Sequence, residues 1–312
     1  MSQRSLFKIL VIWGCLILVT ALLGRTSIAA GSGEAMAEFL NIGIGARAAA
    51  MGGAFSSAAD DATASYWNPA GLVEVTNLQL ALSHFSWYQD LSYEYLSMAY
   101  PASDRLTLGL AFSYMNYGDI EGYDQYDAPT GSINGTYDLA TSFSAGYRVG
   151  EYFSLGSAVK YVVISLADQS ASALAVDLGA RYHTDLFAAA VTAINLGQKI
   201  KFDQIEENLP AGIRAGVSIR PLGSSFLAAL EVENQFYGTM SVKNGFEWNY
   251  EGKYFIRTGY AYYPNQDERE FGQSLSFGVG ALFGPARLDY TFSPQEKFSS
   301  ENLHRFSVIL DL

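Results

Sequence analysis

The stretch from Arg105 to Gly118 reads RLTLGLAFSYMNYG, and it decides the fold class of this sequence. Large apolar residues occupy alternate positions from Leu106 to Tyr114, and small or polar residues fill the positions between them. Because successive side chains of a strand point to opposite faces, this period of two predicts a β-strand. One face of that strand is suited to lipid, and the other is suited to a polar interior.

The same alternation returns along the chain after residue 76. It predicts about fourteen strands, each near the ~10 residues that a tilted strand needs to cross a bilayer. The predicted segments are 77–88, 91–100, 104–117, 136–149, 152–166, 171–183, 186–196, 210–221, 225–237, 240–250, 253–263, 271–283, 286–293 and 302–312.

The links between these segments alternate between short and long. Bacterial barrels have short periplasmic turns and longer outer loops, and we expect the link at 89–90 to be the one tight outer turn. A soluble β-sandwich, the alternative for such strands, has no reason to alternate in this way. The sequence therefore predicts an all-β chain: a transmembrane antiparallel β-barrel of about fourteen strands over residues 76–312.

Residues 1–30 have the pattern of a secretory signal peptide. Arg4 and Lys8 precede the apolar run ILVIWGCLILVTALLG at 9–24, and small residues follow at 27, 29 and 30. A single transmembrane anchor is the alternative, since the apolar run is long for a signal. Cleavage would remove Cys15, the single cysteine, so disulfides cannot stabilise the mature chain. We expect export to the bacterial outer membrane.

Residues 31–75 lie between the signal and the first strand, and they contain DDATASYWNPAGL at 60–72. Small residues would let a short helix pack closely inside a narrow lumen. Pro69 disfavours helical geometry at Asn68, so we expect that helix to end near Trp67. The segment is predicted to be a short helical N-terminal hatch inside the barrel. Its motif residues are Asp60, Asp61, Trp67, Asn68, Pro69, Ala70 and Gly71.

The stretch AEFLNIGIGARAAAMGGAFSSAADDATASYWNPAGL at 37–72 resembles the start of PorV/PorQ-family outer-membrane proteins. These are related to the FadL-like barrels, the long-chain fatty-acid transporters. The resemblance implies a fourteen-strand barrel with the N-terminal block as a hatch. It also implies either passage of hydrophobic molecules through the wall or a part in type IX protein secretion and surface attachment.

Charged residues alternate with apolar ones in many of the predicted strands. Each would cost ~2–4 kcal/mol if it faced lipid near the midplane, so we expect these residues to face the lumen and to pair across strands. They would form a structural ladder, seat the hatch or line a water path. The predicted luminal charges are Lys160, Asp177, Arg181, Arg214, Arg220, Glu231, Glu233, Lys243, Glu247, Arg257, Arg287 and Asp289.

Two more specific expectations concern the hatch. Asp60 and Asp61 are expected to pair with luminal arginines, for example Arg214 or Arg257. If an apolar ligand is carried, a local pocket lined by hatch residues is expected, with an exit sideways into the membrane. The pocket residues would be Met51, Phe55 and Trp67.

Catalytic and cofactor chemistry is not indicated by the sequence. The string Gly43-Ile44-Gly45-Ala46-Arg47-Ala48 lacks the strand and long helix of a nucleotide-binding loop. His84, His183 and His304 lie in separate strands without metal-ligand spacing. A barrel-embedded phospholipase would need a Ser–His pair on the outer face with an orienting partner, and no feature points to one. We therefore expect a non-enzyme without catalytic residues, cofactor or metal.

Three function classes remain: transport of hydrophobic or amphipathic solutes, protein handling in secretion, and a structural barrel with binding loops. The expected partners are outer-membrane lipid, hydrophobic small molecules, and secretion-system proteins or their substrates. The formal net charge of −12 argues against nucleic acid.

Overall fold

The computed structural model describes residues 35–86, 91–118, 120–123, 126, 128–133, 135–166, 169–202, 204–264, 275–294 and 302–312. The predicted signal peptide at 1–30 and the predicted tight turn at 89–90 lie outside the described residues.

Fourteen strands form one closed antiparallel barrel, which confirms the predicted fold class. Around the barrel the strands follow one another in chain order, and the first strand pairs with the last. The barrel strands are β1 (Gln79–Ser86), β2 (Ser92–Pro101), β3 (Leu106–Asn116), β6 (Tyr137–Arg148), β7 (Phe153–Leu166), β8 (Gln169–His183), β9 (Phe187–Gly197), β12 (Gly212–Ile219), β13 (Phe226–Gln235), β14 (Met240–Tyr250), β15 (Tyr254–Tyr262), β16 (Leu275–Phe283), β17 (Ala286–Ser293) and β18 (Leu303–Asp311).

Two of the longer outer links contain short hairpins. One is formed by β4 (Ile120–Tyr123) and β5 (Pro129–Ile133), and the other by β10 (Ile200–Phe202) and β11 (Ile205–Glu207). Strands of this length contain too few alternating positions to be predicted from the pattern that identified the long strands.

The two faces of β3 show how the alternation places side chains. Leu108 is 44% exposed on the exterior, whereas Thr107 is 3% exposed and faces the interior. The same division around the barrel produces an outer surface of large apolar and aromatic side chains. Such a surface suits contact with the hydrocarbon of a bilayer.

One end of the barrel carries the short turns and both ends of the strand series. There the backbone N–H of Leu312 donates to the carbonyl of Leu78 over 2.8 Å. The opposite end carries the longer links, but it also has short connections after Leu166 and after Gln235. The expectation of a single tight outer turn is therefore wrong, because β8 begins at Gln169, two residues before its predicted start, and only four residues separate β13 from β14.

The segment before β1 lies inside the barrel, and we call residues 35–75 the hatch. It contains a 3-10 helix (Glu38–Asn41), helix α1 (Ala46–Ala50), helix α2 (Ala64–Trp67) and a second 3-10 helix (Pro69–Glu74). Helix α2 ends at Trp67 because Asn68 is extended, with φ −164° and ψ 105°. The Asn68 side chain then accepts a hydrogen bond from Ala70 N at 3.0 Å, which begins the second 3-10 helix.

None of the helices in the described residues is long and apolar enough to cross a membrane.

Candidate functional site in the barrel lumen

Glycines on the inner wall allow the hatch backbone to touch the barrel. Gly146, Gly156 and Gly179 form a row across β6, β7 and β8. A Cβ atom added to Gly156 would lie 2.1 Å from Ala70 N. On another part of the wall, a Cβ added to Gly259 of β15 would lie 2.0 Å from Gly52 N. The hatch is therefore held between surfaces that have no room for a side chain.

Arg47 connects helix α1 to the barrel wall and to the acidic pair of the hatch. Its Nε lies 2.8 Å from Glu247 Oε2, and its Nη1 lies 2.5 Å from Asp60 Oδ1 and 3.6 Å from Asp61 Oδ2. Burial lowers the pKa of Arg47, but Asp60, Glu247 and Asp61 outweigh that effect and hold the pKa well above its usual value. The guanidinium is therefore a permanently charged centre in the hatch.

A chain of ion pairs continues from Asp61 along the wall. Asp61 Oδ2 lies 2.7 Å from Arg287 Nη2, and Arg287 Nε lies 2.9 Å from Asp289 Oδ2. Asp289 Oδ1 lies 2.7 Å from Arg257 Nη1, whose Nε lies 2.6 Å from Glu247 Oε2. Together with Arg47, these groups close a ring of alternating charges between the hatch and strands β14, β15 and β17.

Asp60 and Asp61 do pair with predicted luminal arginines, but not with Arg214 or Arg257, the two examples that we expected. Arg214 pairs with Glu233 of the neighbouring strand at 3.0 Å, and Arg257 pairs with Glu247 and Asp289. The acidic pair instead meets Arg47 together with the two wall arginines at the short-turn end. Arg220 Nη2 lies 3.4 Å from Asp60 Oδ2, and Arg287 contacts Asp61. The arginines that contact the acidic pair lie at a different height along the barrel axis from the two that we named. The alternation of apolar and polar residues does not specify this height.

Further contacts join the remaining luminal charges to the hatch. Arg181 Nε donates to the carbonyl of Ser57 at 3.0 Å, and its Nη1 lies 2.9 Å from Glu74. Glu231 accepts a hydrogen bond from Ser56 N at 2.7 Å. These side chains hold the hatch backbone as well as its charges.

Another buried charged group of the wall, Asp177, lies at an irregularity between β8 and β9. The pairing register shifts between Val176 and Leu178, and Asn195 has φ 54°. Asp177 sits in this bulge, where its Oδ1 accepts from Asn195 N at 2.7 Å and its Oδ2 lies 2.6 Å from Lys160 Nζ. Asp177 thus accepts the hydrogen bond of a backbone N–H group, that of Asn195, at the place where the bulge interrupts the strand ladder.

Met51, Phe55 and Trp67 do not line one common pocket. Met51 and Phe55 are fully buried between the hatch and the wall. Phe55 packs edge-on against Trp67 with ring centroids 5.9 Å apart. Trp67 alone of the three borders a cavity of about 190 Å³. Met51 and Phe55 are thus packing residues.

That cavity lies on the loop side of the hatch, and we call it the loop-side cavity. Its wall combines Trp67 with three cationic side chains, Arg214, Lys243 and Arg305. Glu233 pairs with Arg214 at 3.0 Å and with Lys243 at 2.6 Å. Within the described chain, no carboxylate lies in ion-pair distance of Arg305, which donates to the Gly43 carbonyl and covers the Phe85 ring.

The sequence did not lead us to predict the roles of Arg47 and Arg305, or the wall glycines that contact the hatch. Arg47 lies in an alanine run outside the alternating strands, so the pattern that identifies luminal charges does not reveal it. Arg305 alternates with apolar neighbours in HRFSVILDL, so the criterion used for the other luminal charges could have found it.

No group of three or more His, Cys, Asp or Glu side chains in the described ranges is arranged to hold a metal ion. The predicted luminal carboxylates pair with the arginines and lysines described above, except Glu231, which accepts a hydrogen bond from Ser56 N.

Comparison with known proteins places these features in a family. Residues 19–309 match the model of the uncharacterised protein family UPF0164. No curated protein matches the sequence.

Several solved structures have a similar fold. The CymD monoaromatic hydrocarbon channel is 15% identical, with 87% of this chain and 98% of that chain covered and a TM-score of 0.61. The toluene transporter TodX of Pseudomonas putida is 14% identical, with coverages of 84% and 95% and a TM-score of 0.56. A FadL homologue of Pseudomonas aeruginosa is 11% identical, with coverages of 86% and 99% and a TM-score of 0.57. The chain belongs to the uncharacterised protein family UPF0164, and its fold is similar to that of these FadL-like channels.

Proposed function

We propose that this protein is an exported outer-membrane barrel that binds and moves hydrophobic or amphipathic solutes. The even number of antiparallel strands and the apolar exterior support a place in the outer membrane. The proteins of similar fold include a monoaromatic hydrocarbon channel and a toluene transporter, and this supports an apolar cargo. Cleavage of residues 1–30 is part of the same proposal.

The loop-side cavity is the observation that carries this proposal. Trp67, Leu275 and Leu303 offer apolar surface, while Arg305 offers a cation without a carboxylate partner in the described chain. A solute with an apolar body and an anionic head would satisfy both parts of this lining. We therefore favour an amphipathic carboxylate over a neutral hydrocarbon.

The hatch determines the path that a solute can take out of the barrel. Its backbone contacts at Gly156 and Gly259 and the Arg47 ring of ion pairs fill the lumen on the short-turn side of the cavity. Breaking these contacts would leave buried charges unpaired, which is costly. We therefore propose that solute leaves sideways through the wall beside the loop-side cavity, whereas the hatch stays seated.

A binding and uptake experiment tests the proposal. The purified protein would be placed in phosphatidylcholine vesicles, and binding and entry of palmitate would be compared with those of neutral hexadecane. Arg305→Ala should weaken palmitate binding by about tenfold to a hundredfold, since a charge-assisted hydrogen bond contributes about 1.5–3 kcal/mol. Arg105→Ala, at an exposed turn position, is the matched control. Protein-independent entry of both solutes would contradict a transport role.

The hatch seated in the lumen also favours a second candidate, the PorV-like component of a type IX-type secretion and surface-attachment system. A barrel that serves as a docking scaffold needs no pathway for solutes, and the seated hatch is compatible with that role. Purification from the outer membrane followed by identification of bound proteins distinguishes the two. Stoichiometric recovery of secretion proteins without bound amphiphile would support the second candidate.

A further inference from the structure

A serine, a histidine and a glutamate meet on the exterior of the barrel, outside the site described above. The Oγ of Ser86 lies 3.1 Å from Nε2 of His84, and the Nδ1 of the same ring lies 2.6 Å from Oε1 of Glu94. All three side chains are exposed on the outer surface. This is the Ser–His pair with an orienting partner that the sequence alone did not reveal.

The strand geometry explains why the three side chains come together. His84 and Ser86 are two residues apart in β1, so their side chains share one face. Glu94 of β2 is the direct cross-strand partner of His84. Opposing residues of an antiparallel pair lie close enough for their side chains to interact. The arrangement is thus fixed by the register of two neighbouring strands.

These polar groups lie towards the loop end of the barrel, away from its midplane. Ser86 is the last residue of β1, and Glu94 is the third residue of β2. The adjoining position on β3 is Tyr114, whose ring lies 5.8 Å from that of Tyr137. Tyrosines of this kind favour the headgroup level of a membrane, where the acyl esters of glycerolipids are found.

An apolar groove of about 270 Å³ lies on the outer wall beside this cluster, and Ser86 lies just beyond its lining. His84 and Glu94 border one part of the groove. Most of the remaining lining is apolar or aromatic, and Ser83 and Ser307 complete it; the apolar residues are Leu82, Leu96, Phe112, Phe306 and Val308. In the strand registers these positions lie beside His84 or nearer the middle of the barrel. An acyl chain with its ester at Ser86 and its tail directed into the bilayer would fit this shape.

We propose that Ser86, His84 and Glu94 form the catalytic triad of an acyl-ester hydrolase that acts on membrane glycerolipids. This activity is independent of the solute-binding role proposed for the lumen. It departs from the expectation of a non-enzyme, because that expectation rested on the absence of any visible Ser–His pair in the sequence.

The reaction needs only the lipid and water. His84 accepts the Ser86 proton at Nε2 while Oγ attacks the ester carbonyl carbon, and Glu94 accepts the hydrogen bond from Nδ1–H. Collapse of the tetrahedral intermediate breaks the ester C–O bond, and the leaving alkoxide takes the proton from His84. Water, deprotonated by His84, then attacks the acyl-serine. This second step releases a fatty acid and restores Ser86.

His304 of β18 is placed to stabilise the tetrahedral intermediate. It is the cross-strand partner of Ser86 on the side opposite β2. The Tyr290 hydroxyl lies 2.7 Å from His304 Nδ1, and donation by that hydroxyl leaves the proton on Nε2. The Nε2–H group would then be available as a donor to the developing oxyanion.

The experiment uses the full mature chain, folded into phosphatidylcholine vesicles. Fatty-acid release would be measured by mass spectrometry, and a fluorophosphonate probe would report a nucleophilic serine. Ser86→Ala should reduce both signals to the level of protein-free vesicles. Glu94→Gln should lower hydrolysis by at least about a hundredfold, because it removes the acceptor that orients the histidine. Ser92→Ala, at the residue opposite Ser86 in β2, is the matched control.

All variants would be checked for the heat-dependent shift in electrophoretic mobility that folded barrels show. Labelling of the peptide that contains Ser86, together with hydrolysis that Ser92→Ala retains, would support the triad. Equal fatty-acid release by the wild type and Ser86→Ala would overturn it, since that release would come from a contaminant. Absence of both hydrolysis and labelling in the folded wild type would overturn it as well.

Discussion

Arg47 of the hatch and Glu247 of the barrel wall form a bidentate ion pair. Nε lies 2.8 Å from Oε2, and Nη2 lies 3.0 Å from Oε1. The two residues are far apart in the sequence, and both are buried. The pair therefore joins the helix α1 region to strand β14 in a way that neither local propensity nor strand alternation requires.

Arg47→Met should strongly destabilise the folded barrel. The substitution preserves much of the side-chain volume but leaves Asp60, Asp61 and Glu247 with fewer cationic partners. Loss of one partner of a buried ion pair costs about 3–5 kcal/mol, so thermal unfolding followed by circular dichroism should show a lower midpoint. Arg105→Ala, at an exposed turn, should leave the midpoint unchanged. Equal midpoints for wild type and Arg47→Met would contradict a stabilising role for the ring of ion pairs.

Gly259→Ala should displace the hatch from the wall. The new Cβ would lie 2.0 Å from Gly52 N and 2.2 Å from the carbonyl carbon of Met51, and backbone atoms cannot move aside as a flexible side chain can. Overpacking of this kind costs about 1–3 kcal/mol. Arg47 is the single tryptic site within residues 35–75, so cleavage there reports displacement.

Gly150→Ala is the control for that experiment, since a Cβ at this position meets nothing within 4 Å. We expect trypsin to cut after Arg47 in Gly259→Ala but not in Gly150→Ala or the wild type. If both alanine variants resist cleavage equally, the close contact at Gly259 does not hold the hatch.

The barrel could be predicted from the sequence because its main signal is local. The alternation from Leu106 to Tyr114 requires only that one face meets lipid and the other the interior, and β3 (Leu106–Asn116) follows from it. The signal for the end of α2 at Trp67 is equally local, since Pro69 disfavours helical geometry at Asn68. The two short outer hairpins were missed because strands of three to five residues carry too few alternating positions.

The contacts of the candidate sites could not be predicted in the same way. Whether Asp61 meets Arg257 or Arg287 depends on the position of the hatch along the barrel axis. That position results from packing of the hatch against wall glycines such as Gly156 and Gly259. The triad depends on the β1–β2 register, which pairs His84 with Glu94. In the sequence, His84 and Ser86 show only a spacing of two residues, which is common in strands.

Asp61 should make the fold sensitive to acid. Burial raises the pKa of Asp61, but the guanidinium groups of Arg287 and Arg47 outweigh that effect and hold its pKa below the usual value. The folded state thus binds this proton less readily than the unfolded state does. The stabilisation is complete above the unfolded pKa of about 3.9 and is lost as the pH falls through the lower folded value.

Asp61→Asn should remove that part of the acid dependence. The variant should be less stable than the wild type at neutral pH, and the difference should shrink as the pH is lowered below about 4. Urea unfolding at a series of pH values measures this. Asp104→Asn, at an exposed turn, is the control. A constant difference between wild type and Asp61→Asn across that range would show that the Asp61 charge does not contribute.

Trp67→Ala should both destabilise the hatch and enlarge the loop-side cavity. The indole is 2% exposed, its Nε1–H donates to the Ile44 carbonyl at 3.1 Å, and Arg214 covers its ring at 5.1 Å. Removal of a buried tryptophan side chain costs about 3–5 kcal/mol. Trp248→Ala is the matched control, since that indole is 50% exposed on the outer wall. We expect a lower unfolding midpoint for Trp67→Ala than for Trp248→Ala, together with binding of bulkier amphiphiles. Identical midpoints and unchanged ligand size selectivity would show that Trp67 neither anchors the hatch nor limits the cavity.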